Sequence, residues 1–252
     1  MSVLLEATKI GKHFGGVQAL KDVSLTINTG EIYGLIGPNG AGKTTFFNVL
    51  TGLYPKDGGT VTFDGAPLPL GSPHAVTRAG IARTFQNIRL FANMTALENV
   101  MVGRHARAKV GVGGAVMRHR RAREEEAAIR RRAEELLHYV GIADRGGQLA
   151  RHLAYGDQRR LEIARALATE PRLLALDEPA AGMNATETSE LKTLIEGIRA
   201  DGVTVLLIEH DVKLVMGLCD RVAVLDYGEK IAEDVPDAVK RDPKVIEAYL
   251  GA

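Results

Sequence analysis

The sequence contains no tryptophan, one cysteine and only 5% aromatic residues in 252. The single thiol, Cys219, excludes an intramolecular disulfide framework, and nothing around it has the spacing of a metal site. Lysine and arginine number 32 against 31 acidic residues, so the whole chain has no electrostatic attraction for nucleic acid. Apolar runs such as residues 205–208 are far shorter than the roughly 20 residues of a membrane-spanning helix. These absences favour a reducing compartment and a chain that does not cross a bilayer by itself.

Short apolar runs alternate with longer helical patterns, which is typical of an α/β domain with a mainly parallel sheet. Three earlier segments predict an antiparallel β layer closed by turns: residues 4–10, 19–27 and 60–63. Residues 87–156 show helical patterns without strand signals, and they predict a helical subdomain inserted into a single domain of residues 1–252. The predicted central strands are residues 31–36, 81–85, 173–176, 203–208 and 222–225.

Part of the predicted insertion, residues 103–114, is rich in glycine and arginine, and a charged helix is predicted over 117–137. Oppositely charged residues stand four apart on that helix, which is typical of a solvated face with ion pairs. These pairs are Glu126–Arg130, Arg130–Glu134 and Arg131–Glu135. An alternative stays open, in which a set of arginines faces anionic lipid headgroups or the loops of a membrane partner. That set is Arg118, Arg120, Arg121 and Arg123.

A glycine-rich loop lies between the predicted strand 31–36 and a predicted helix over 44–50. It matches G-x-x-x-x-G-K-[ST], a pattern in which backbone N–H groups and the helix N-terminus bind phosphates. We expect Lys43 to neutralise the β and γ phosphates of a nucleotide, and Thr44 to ligate Mg²⁺. The candidate nucleotide-binding residues are Gly37, Asn39, Gly40, Ala41, Gly42, Lys43, Thr44 and Thr45.

Two predicted strands end in charged residues. The run 173–176 is followed by Asp177, a candidate Mg²⁺ ligand, and by Glu178, a candidate general base for an attacking water. The run 204–208 is followed by Glu209, His210 and Asp211. Because ligands of parallel sheets bind at the carboxyl ends of the strands, we expect the His210 imidazole to bond a γ-phosphate oxygen.

Further motifs follow in a fixed order. Gln86 comes after strand 81–85, the segment Leu-Ala-Tyr-Gly-Asp-Gln at 153–158 precedes a helix predicted over 159–168, and residues 180–184 follow the acidic pair. Together with the glycine-rich loop and His210, this order resembles the ATP-binding subunits of ABC transporters over nearly the whole chain. The resemblance implies a P-loop ATPase core of the RecA-like class, with an antiparallel β layer and an inserted helical subdomain that carries the signature segment at its end.

The resemblance also implies roles for individual residues. Phe14 would stack on adenine, although an aromatic side chain at this position is also compatible with a turn or the core. Gln86 would sense Mg²⁺ and the γ-phosphate, although a polar residue at a strand end needs no such role. The signature residues Tyr155, Gly156 and Asp157 would complete the ATP site of an opposite protomer. Two chains would therefore close head to tail over two ATP molecules.

One position departs from the family pattern, because Ala154 stands where the family usually has serine. The missing hydroxyl removes a γ-phosphate donor and a helix cap worth about 1 kcal/mol. The signature otherwise resembles the form found in importers of branched-chain amino acids, the LivG type. Residues 82–91, 98–103, 179–184 and 208–212 carry the same resemblance. Urea and amide importers and the lipopolysaccharide-export ATPase are close relatives of that subfamily.

The resemblance therefore implies a motor that hydrolyses ATP at the cytoplasmic face of a membrane. Its partners would be permease subunits, a second ABC ATPase subunit in a homo- or heterodimer, and indirectly a periplasmic or extracellular binding protein. A soluble ABC switch on ribosomes or DNA is the alternative from another class. Such switches typically fuse two cassettes in one chain, whereas this sequence has one.

Overall fold

A computed structural model of the protein describes residues 2–105 and 120–250. The chain divides into two compact units, of which the first joins Met1–Arg83 to Arg172–Ala252 and the second is Thr84–Pro171. The predicted insertion of 87–156 lies within the bounds of the second unit, which continues to Pro171 because the helix that follows the signature packs on the other helices of that unit. Of the proposed arginine surface, Arg123 is exposed, and the side chains of the other three arginines lie outside the described part of the chain.

The helices and strands are numbered here in chain order. They are β1 (Val3–Phe14), β2 (Val17–Asn28), β3 (Ile32–Ile36), α1 (Lys43–Leu50), β4 (Gly58–Phe63), β5 (Ala66–Pro67), α2 (Pro73–Ala79), β6 (Ile81–Arg83), α3 (Ala96–Arg104), α4 (Arg120–Tyr139), α5 (Tyr155–Leu167), β7 (Leu173–Asp177), α6 (Ala185–Ala200), β8 (Thr204–Ile208), α7 (Val212–Met216), β9 (Arg221–Asp226), β10 (Glu229–Asp234), α8 (Pro236–Val239) and α9 (Pro243–Leu250).

The larger sheet of the first unit has the strand order β10-β9-β3-β8-β7-β6, and only its edge strand β10 runs antiparallel to its neighbour. Every residue of β3, β7 and β8 is buried, which explains why these strands are continuous apolar runs in the sequence. Because β3, β8 and β7 are adjacent and parallel, the loops after them leave the same edge of the sheet. The parallel α/β sheet predicted from the sequence is confirmed.

The smaller sheet of the first unit is antiparallel, with the order β2-β1-β4-β5, and it confirms the predicted β layer. Its strands are longer than predicted, since pairing between β1 and β2 continues to Phe14 opposite Val17. Buried residues of both sheets and of α1 form one apolar cluster, in which Phe46 and Phe47 of α1 are fully buried. The helix that follows the glycine-rich loop is therefore anchored in the core.

In residues 84–105 and 120–171, the described part of the second unit, the chain forms helices α3, α4 and α5, with short 3-10 turns between α4 and α5. One face of α4 is buried through Ile129, Ala133 and Leu136, while its other face is exposed. On that exposed face Arg130 pairs with Glu134 at 3.0 Å, as predicted. Glu135 pairs with Arg132 at 2.9 Å instead of the predicted Arg131, three residues away instead of four.

Two predicted boundaries near the second unit are wrong. Strand β6 ends at Arg83, and not at residue 85, because the Phe85 backbone bonds to side chains of α5. Helix α5 begins at Tyr155, and not at Arg159, so the signature residues form its first turn. In the described ranges, no helix combines the length and the apolar character that crossing a membrane requires.

Candidate functional site

The glycine-rich loop connects β3 to α1, and its conformation requires glycine. Gly42 has a φ angle of 100°, and a Cβ atom on it would lie 2.7 Å from the carbonyl oxygen of Ala19. A Cβ atom on Gly37 would lie 2.1 Å from the carbonyl oxygen of Leu225. No side chain of the described residues caps the N-terminus of α1. The N–H groups of its first turn are thus left for a ligand, and the site fits a phosphate chain.

Lys43 is buried at the start of α1, and its Nζ atom donates hydrogen bonds to the carbonyls of Gly37, at 2.6 Å, and Pro38, at 2.9 Å. Burial lowers the pKa of Lys43, while the carboxylates of Glu178 and Asp177 act in the opposite direction. The ammonium group therefore lies within electrostatic reach of both acidic residues. The next residue, Thr44, is exposed, so its hydroxyl is accessible from the loop.

Asp177 is the last residue of β7, and only 2% of it is exposed. The guanidinium of Arg83, on the neighbouring strand β6, lies 3.7 Å from its carboxylate. Arg83 also donates hydrogen bonds to Asn48 Oδ1, at 2.9 Å, and to Thr51 Oγ1, at 2.7 Å, in the α1 region. Arg83 therefore links the carboxyl end of β7 to the helix that follows the glycine-rich loop, a role that sequence reasoning missed.

Glu178 and His210 meet at the same edge of the sheet. The backbone N–H of Glu178 donates to the carbonyl of Ile208 at 2.8 Å, which continues the pairing of β7 with β8 past the strand ends. Glu178 has a φ angle of 48°, a conformation that costs a non-glycine residue roughly 1–3 kcal/mol and is concentrated at functional sites. Its carboxylate oxygen Oε1 contacts His210 Nε2. The two residues predicted to act on water and γ-phosphate are thus in direct contact.

Glu209 is a further residue of this edge that sequence reasoning left without a role. Its side chain is buried, and its two oxygens accept hydrogen bonds from the backbone N–H groups of Ala180, at 2.8 Å, and His210, at 3.1 Å. Burial raises the pKa of Glu209, while the N–H groups of Ala180, His210 and Asp211 act in the opposite direction. Glu209 therefore ties the loop after β7 to the loop after β8. The signal in the sequence is a charged residue that directly follows an apolar run.

Phe14 ends β1, and 44% of it is exposed, so it is not a core aromatic. Its ring lies edge to face with Tyr54, with 5.4 Å between the centroids, and Lys12 Nζ is also 5.4 Å from the Phe14 centroid. The exposed ring is compatible with stacking on a base. Tyr54 was not anticipated as its neighbour.

The C-terminal helix α9 carries one residue near the glycine-rich loop. Burial raises the pKa of the Tyr249 hydroxyl, while the backbone N–H of Gly37 acts in the opposite direction. The last elements of the first unit are β10, α8 and α9. The Tyr249 hydroxyl therefore lies next to the backbone of Gly37, at the start of the glycine-rich loop.

The second unit contains the other predicted site residues. Gln86 lies between β6 and α3, and its carbonyl accepts a hydrogen bond from Arg159 on α5 at 2.5 Å. Tyr155 and Gly156 belong to the first turn of α5, and Tyr155 is 44% exposed. Asp157, in the same turn, has its carboxylate 3.6 Å from Arg145 Nε. Ala154 is the N-cap residue and makes no side-chain cap bond, as its lost hydroxyl predicts.

The donor set fits the groups that the motifs imply. The hydroxyl of Thr44 and the carboxylate of Asp177 belong to the same unit, and they are the hard oxygen donors that Mg²⁺ prefers. The glycine-rich loop offers backbone N–H groups and the Lys43 ammonium for phosphates. The donor groups of the first unit therefore fit a nucleotide site of the P-loop kind.

Comparison with protein families gives two matches. Residues 20–181 match the family described as ABC transporter. Residues 229–252 match the family described as branched-chain amino acid ATP-binding cassette transporter.

Three curated proteins illustrate the similarity in sequence. The chain is 45% identical to the high-affinity branched-chain amino acid transport ATP-binding protein LivG of Salmonella typhimurium, over 98% of both chains. It is 43% identical to the corresponding protein BraF of Pseudomonas aeruginosa, also over 98% of both chains. The lipopolysaccharide export system ATP-binding protein LptB of Escherichia coli is 35% identical, over 98% of this chain and 97% of that one.

Solved structures agree with these matches. The ADP conformation of MJ1267, an ATP-binding cassette of an ABC transporter, covers 100% of both chains with a TM-score of 0.87 and 32% identity. A dimeric structure of the cassette MJ0796, in a post-hydrolysis state with ADP and phosphate, covers 92% of this chain and 99% of that one with a TM-score of 0.78 and 27% identity.

Proposed function

Because the chain belongs to the family of ABC transporter ATP-binding proteins, we propose that it hydrolyses MgATP to drive a membrane partner. One observation carries this proposal, the contact between the Glu178 carboxylate and the His210 imidazole within electrostatic reach of Lys43. A carboxylate beside an imidazole at a phosphate site can accept a proton from water and direct the attack at phosphorus. Water is the acceptor, since the motifs contain no second substrate site.

Each candidate residue has a role in this proposal. The glycine-rich loop and Lys43 bind the phosphates of ATP, and Phe14 stacks on its adenine. Thr44, Asp177 and Gln86 would hold Mg²⁺, which when bound neutralises charge on the phosphates. Glu178 takes the proton of the attacking water, and His210 bonds a γ-phosphate oxygen. Tyr155, Gly156 and Asp157 complete the site of a second cassette in a head-to-tail dimer.

The cargo we propose is a branched-chain amino acid. Support comes from the relatives LivG and BraF, whose similarity extends over 98% of each chain, and from the C-terminal match over residues 229–252. LptB is less similar at 35% identity, which makes lipopolysaccharide export the weaker alternative. The proposed partners are permease subunits, a second ABC ATPase and indirectly an external binding protein, with this chain at the cytoplasmic face as a single ATPase domain.

Phosphate release in the absence of any acceptor tests the chemistry. We expect wild-type protein to release phosphate from MgATP, and Glu178→Gln to lose about 10²- to 10⁴-fold in turnover, because the general base is gone. Glu196→Gln, on the exposed face of α6, is the matched control and should keep full turnover. Equal turnover in Glu178→Gln and wild type would contradict the proposed role of Glu178.

Isolation of the chain from its native membranes in mild detergent, followed by mass spectrometry, tests the partners. Two permease-like proteins and a second cassette ATPase are the expected companions. Ribosomal or nucleic-acid partners without a membrane protein would overturn the transporter assignment and leave the ATPase activity intact.

A further inference from the structure

The segment that carries Gln86 has little regular structure. Residues 84–91, between β6 and α3, form neither helix nor strand. Backbone N–H and C=O groups outside a sheet or helix need other partners when they are removed from water. At the end of this segment, Asn99 of α3 bonds the backbone of Phe91. Two charged side chains of α5, Arg159 and Glu162, bond the backbone of the residues before it.

Arg159 binds the carbonyl side of the segment. Its Nη1 atom donates to the carbonyl of Phe85 at 2.7 Å, and its Nη2 atom donates to the carbonyl of Gln86 at 2.5 Å. The same Nη2 atom donates to the hydroxyl of Tyr155 at 2.8 Å, and Nε donates to that hydroxyl at 3.2 Å. One guanidinium group therefore joins the Gln86 backbone to a signature residue.

Glu162 binds the N–H side of the segment. Its Oε1 atom accepts from the backbone N–H groups of Phe85, at 3.4 Å, and Arg89, at 3.3 Å. Its Oε2 atom lies 3.5 Å from Arg159 Nη1. Arg159 is 3% exposed and Glu162 is 1% exposed. The charges thus meet in the interior, where such a pair requires precise partners on both sides.

We propose that Arg159 and Glu162 are positioning residues that couple the signature turn to Gln86. The inference rests on the proposed function, in which Gln86 senses the nucleotide of its own protomer and Tyr155 contacts that of the partner. A shift of the signature turn then moves the Arg159 guanidinium, and with it the backbone that places the Gln86 side chain.

Arginine is required for this bridge. Its planar fork offers several donors in fixed directions, whereas a lysine ammonium is a single point of charge. Arg159→Lys therefore retains the positive charge next to Glu162 but cannot reach the two carbonyls and the Tyr155 hydroxyl together. This variant separates coupling from simple charge pairing.

Hydrogen exchange tests the proposal without relying on hydrolysis. In wild type, a non-hydrolysable ATP analogue with Mg²⁺ should slow exchange in the peptides covering residues 84–91 and 153–160. In Arg159→Lys, protection should persist in one of the peptides and be lost in the other. If both peptides of Arg159→Lys are protected as strongly as they are in wild type, the proposed coupling is wrong.

ATP turnover supplies a second readout. We expect cooperative ATP dependence in wild type and a Hill coefficient that falls to about 1 in Arg159→Lys, because two sites that no longer communicate respond independently. Hyperbolic kinetics in wild type, or unchanged cooperativity in the variant, would contradict the inference. Absence of turnover in wild type would instead contradict the proposed function, and the exchange experiment would still decide the coupling.

Two further variants control for stability. The double variant Arg159→Met with Glu162→Leu removes both charges of the buried pair, so neither stays buried without the other. Arg165, which lies 3.9 Å from Glu162, has a side chain that is 16% exposed, so the double variant should fold. It should still lose cooperativity, which a merely structural role would not predict. Arg132→Lys changes an exposed arginine that is likewise paired three residues away, with Glu135, and should keep the wild-type Hill coefficient.

Discussion

The two units hold their site residues in different ways. In the first unit, backbone geometry positions the groups. Glu178 follows β7 with a φ angle of 48°, and Lys43 follows Gly42, where a Cβ atom would lie 2.7 Å from the carbonyl oxygen of Ala19. In the second unit, side chains position the segment around Gln86, through the buried charges of Arg159 and Glu162. The direction of a residue that follows a strand is set by the strand itself. The conformation of an irregular segment depends instead on the side chains that bond to its backbone.

This difference has a consequence for tolerance to mutation. Substitutions should harm the first unit where they add atoms against the backbone. They should harm the second unit where they leave a charge without its partner. Four experiments test this difference between the two units, and their expected effects decrease in the order given.

The largest effect is expected from Arg159→Met. It leaves the buried carboxylate of Glu162 with Arg165, 3.9 Å away, as its remaining ion-pair partner. Loss of one partner of a buried ion pair typically costs about 3–5 kcal/mol of unfolding free energy. Arg132→Met, on the exposed face of α4, is the matched control and should cost at most about 1 kcal/mol. Urea denaturation of both variants measures the difference. Equal losses of unfolding free energy in the two variants would mean that burial of the Arg159–Glu162 pair does not add to its effect on stability.

Gly37→Ala should cost about 3 kcal/mol or more, because its Cβ atom would lie 2.1 Å from the carbonyl oxygen of Leu225. Gly40→Ala is the control in the same loop, where a Cβ atom has no neighbour within 4 Å and a φ angle of 81° is the only penalty. That penalty is about 1–2 kcal/mol. The same denaturation measurement applies, and a Gly40→Ala loss as large as that of Gly37→Ala would refute the close-contact explanation.

Ala154→Ser should stabilise the protein by about 1 kcal/mol, since the N-cap of α5 makes no side-chain bond. The opposite change in the first unit is Asn184→Ala, which removes a capping box at the start of α6 and should cost about 1 kcal/mol.

We also expect Ala154→Ser to tighten ATP-driven dimerisation, measured by analytical ultracentrifugation. The same dimer affinity in wild type and variant would exclude a role of the missing hydroxyl in that contact.

The smallest perturbation is a chemical probe of Cys219. Burial raises the pKa of this thiol to about 12, so at pH 8 it is protonated as well as covered. We expect a maleimide to leave the native protein unlabelled and to react at once with the urea-unfolded chain, as read by mass spectrometry. Rapid labelling of the native state would reveal local opening of the first unit near β3, where the Cys219 sulfur packs close to Gly34.

The sequence predicted the first unit more completely than the second. Continuous apolar runs identified β3, β7 and β8, and the residues that follow them, Asp177 and His210, were expected at one edge because parallel strands end together. Sequence reasoning failed at Arg83, Tyr54 and Glu209. Each of them has a partner that is distant in the chain: Asp177, Phe14 and Ala180, respectively. Sequence reasoning also misplaced the start of α5, because Ala154 lacks the side chain that marks a helix N-terminus.

The order of the motifs, the glycine-rich loop and the family follow from the amino-acid sequence alone, since they depend on neighbouring residues and their spacing. Which charges meet depends instead on the tertiary structure. The contact of Glu178 with His210, the bonds of Glu209 to two loops and the bridge from Arg159 to Gln86 all join segments separated in the chain. The strand order and helix packing that bring such segments together are properties of the whole fold, and no local pattern contains them.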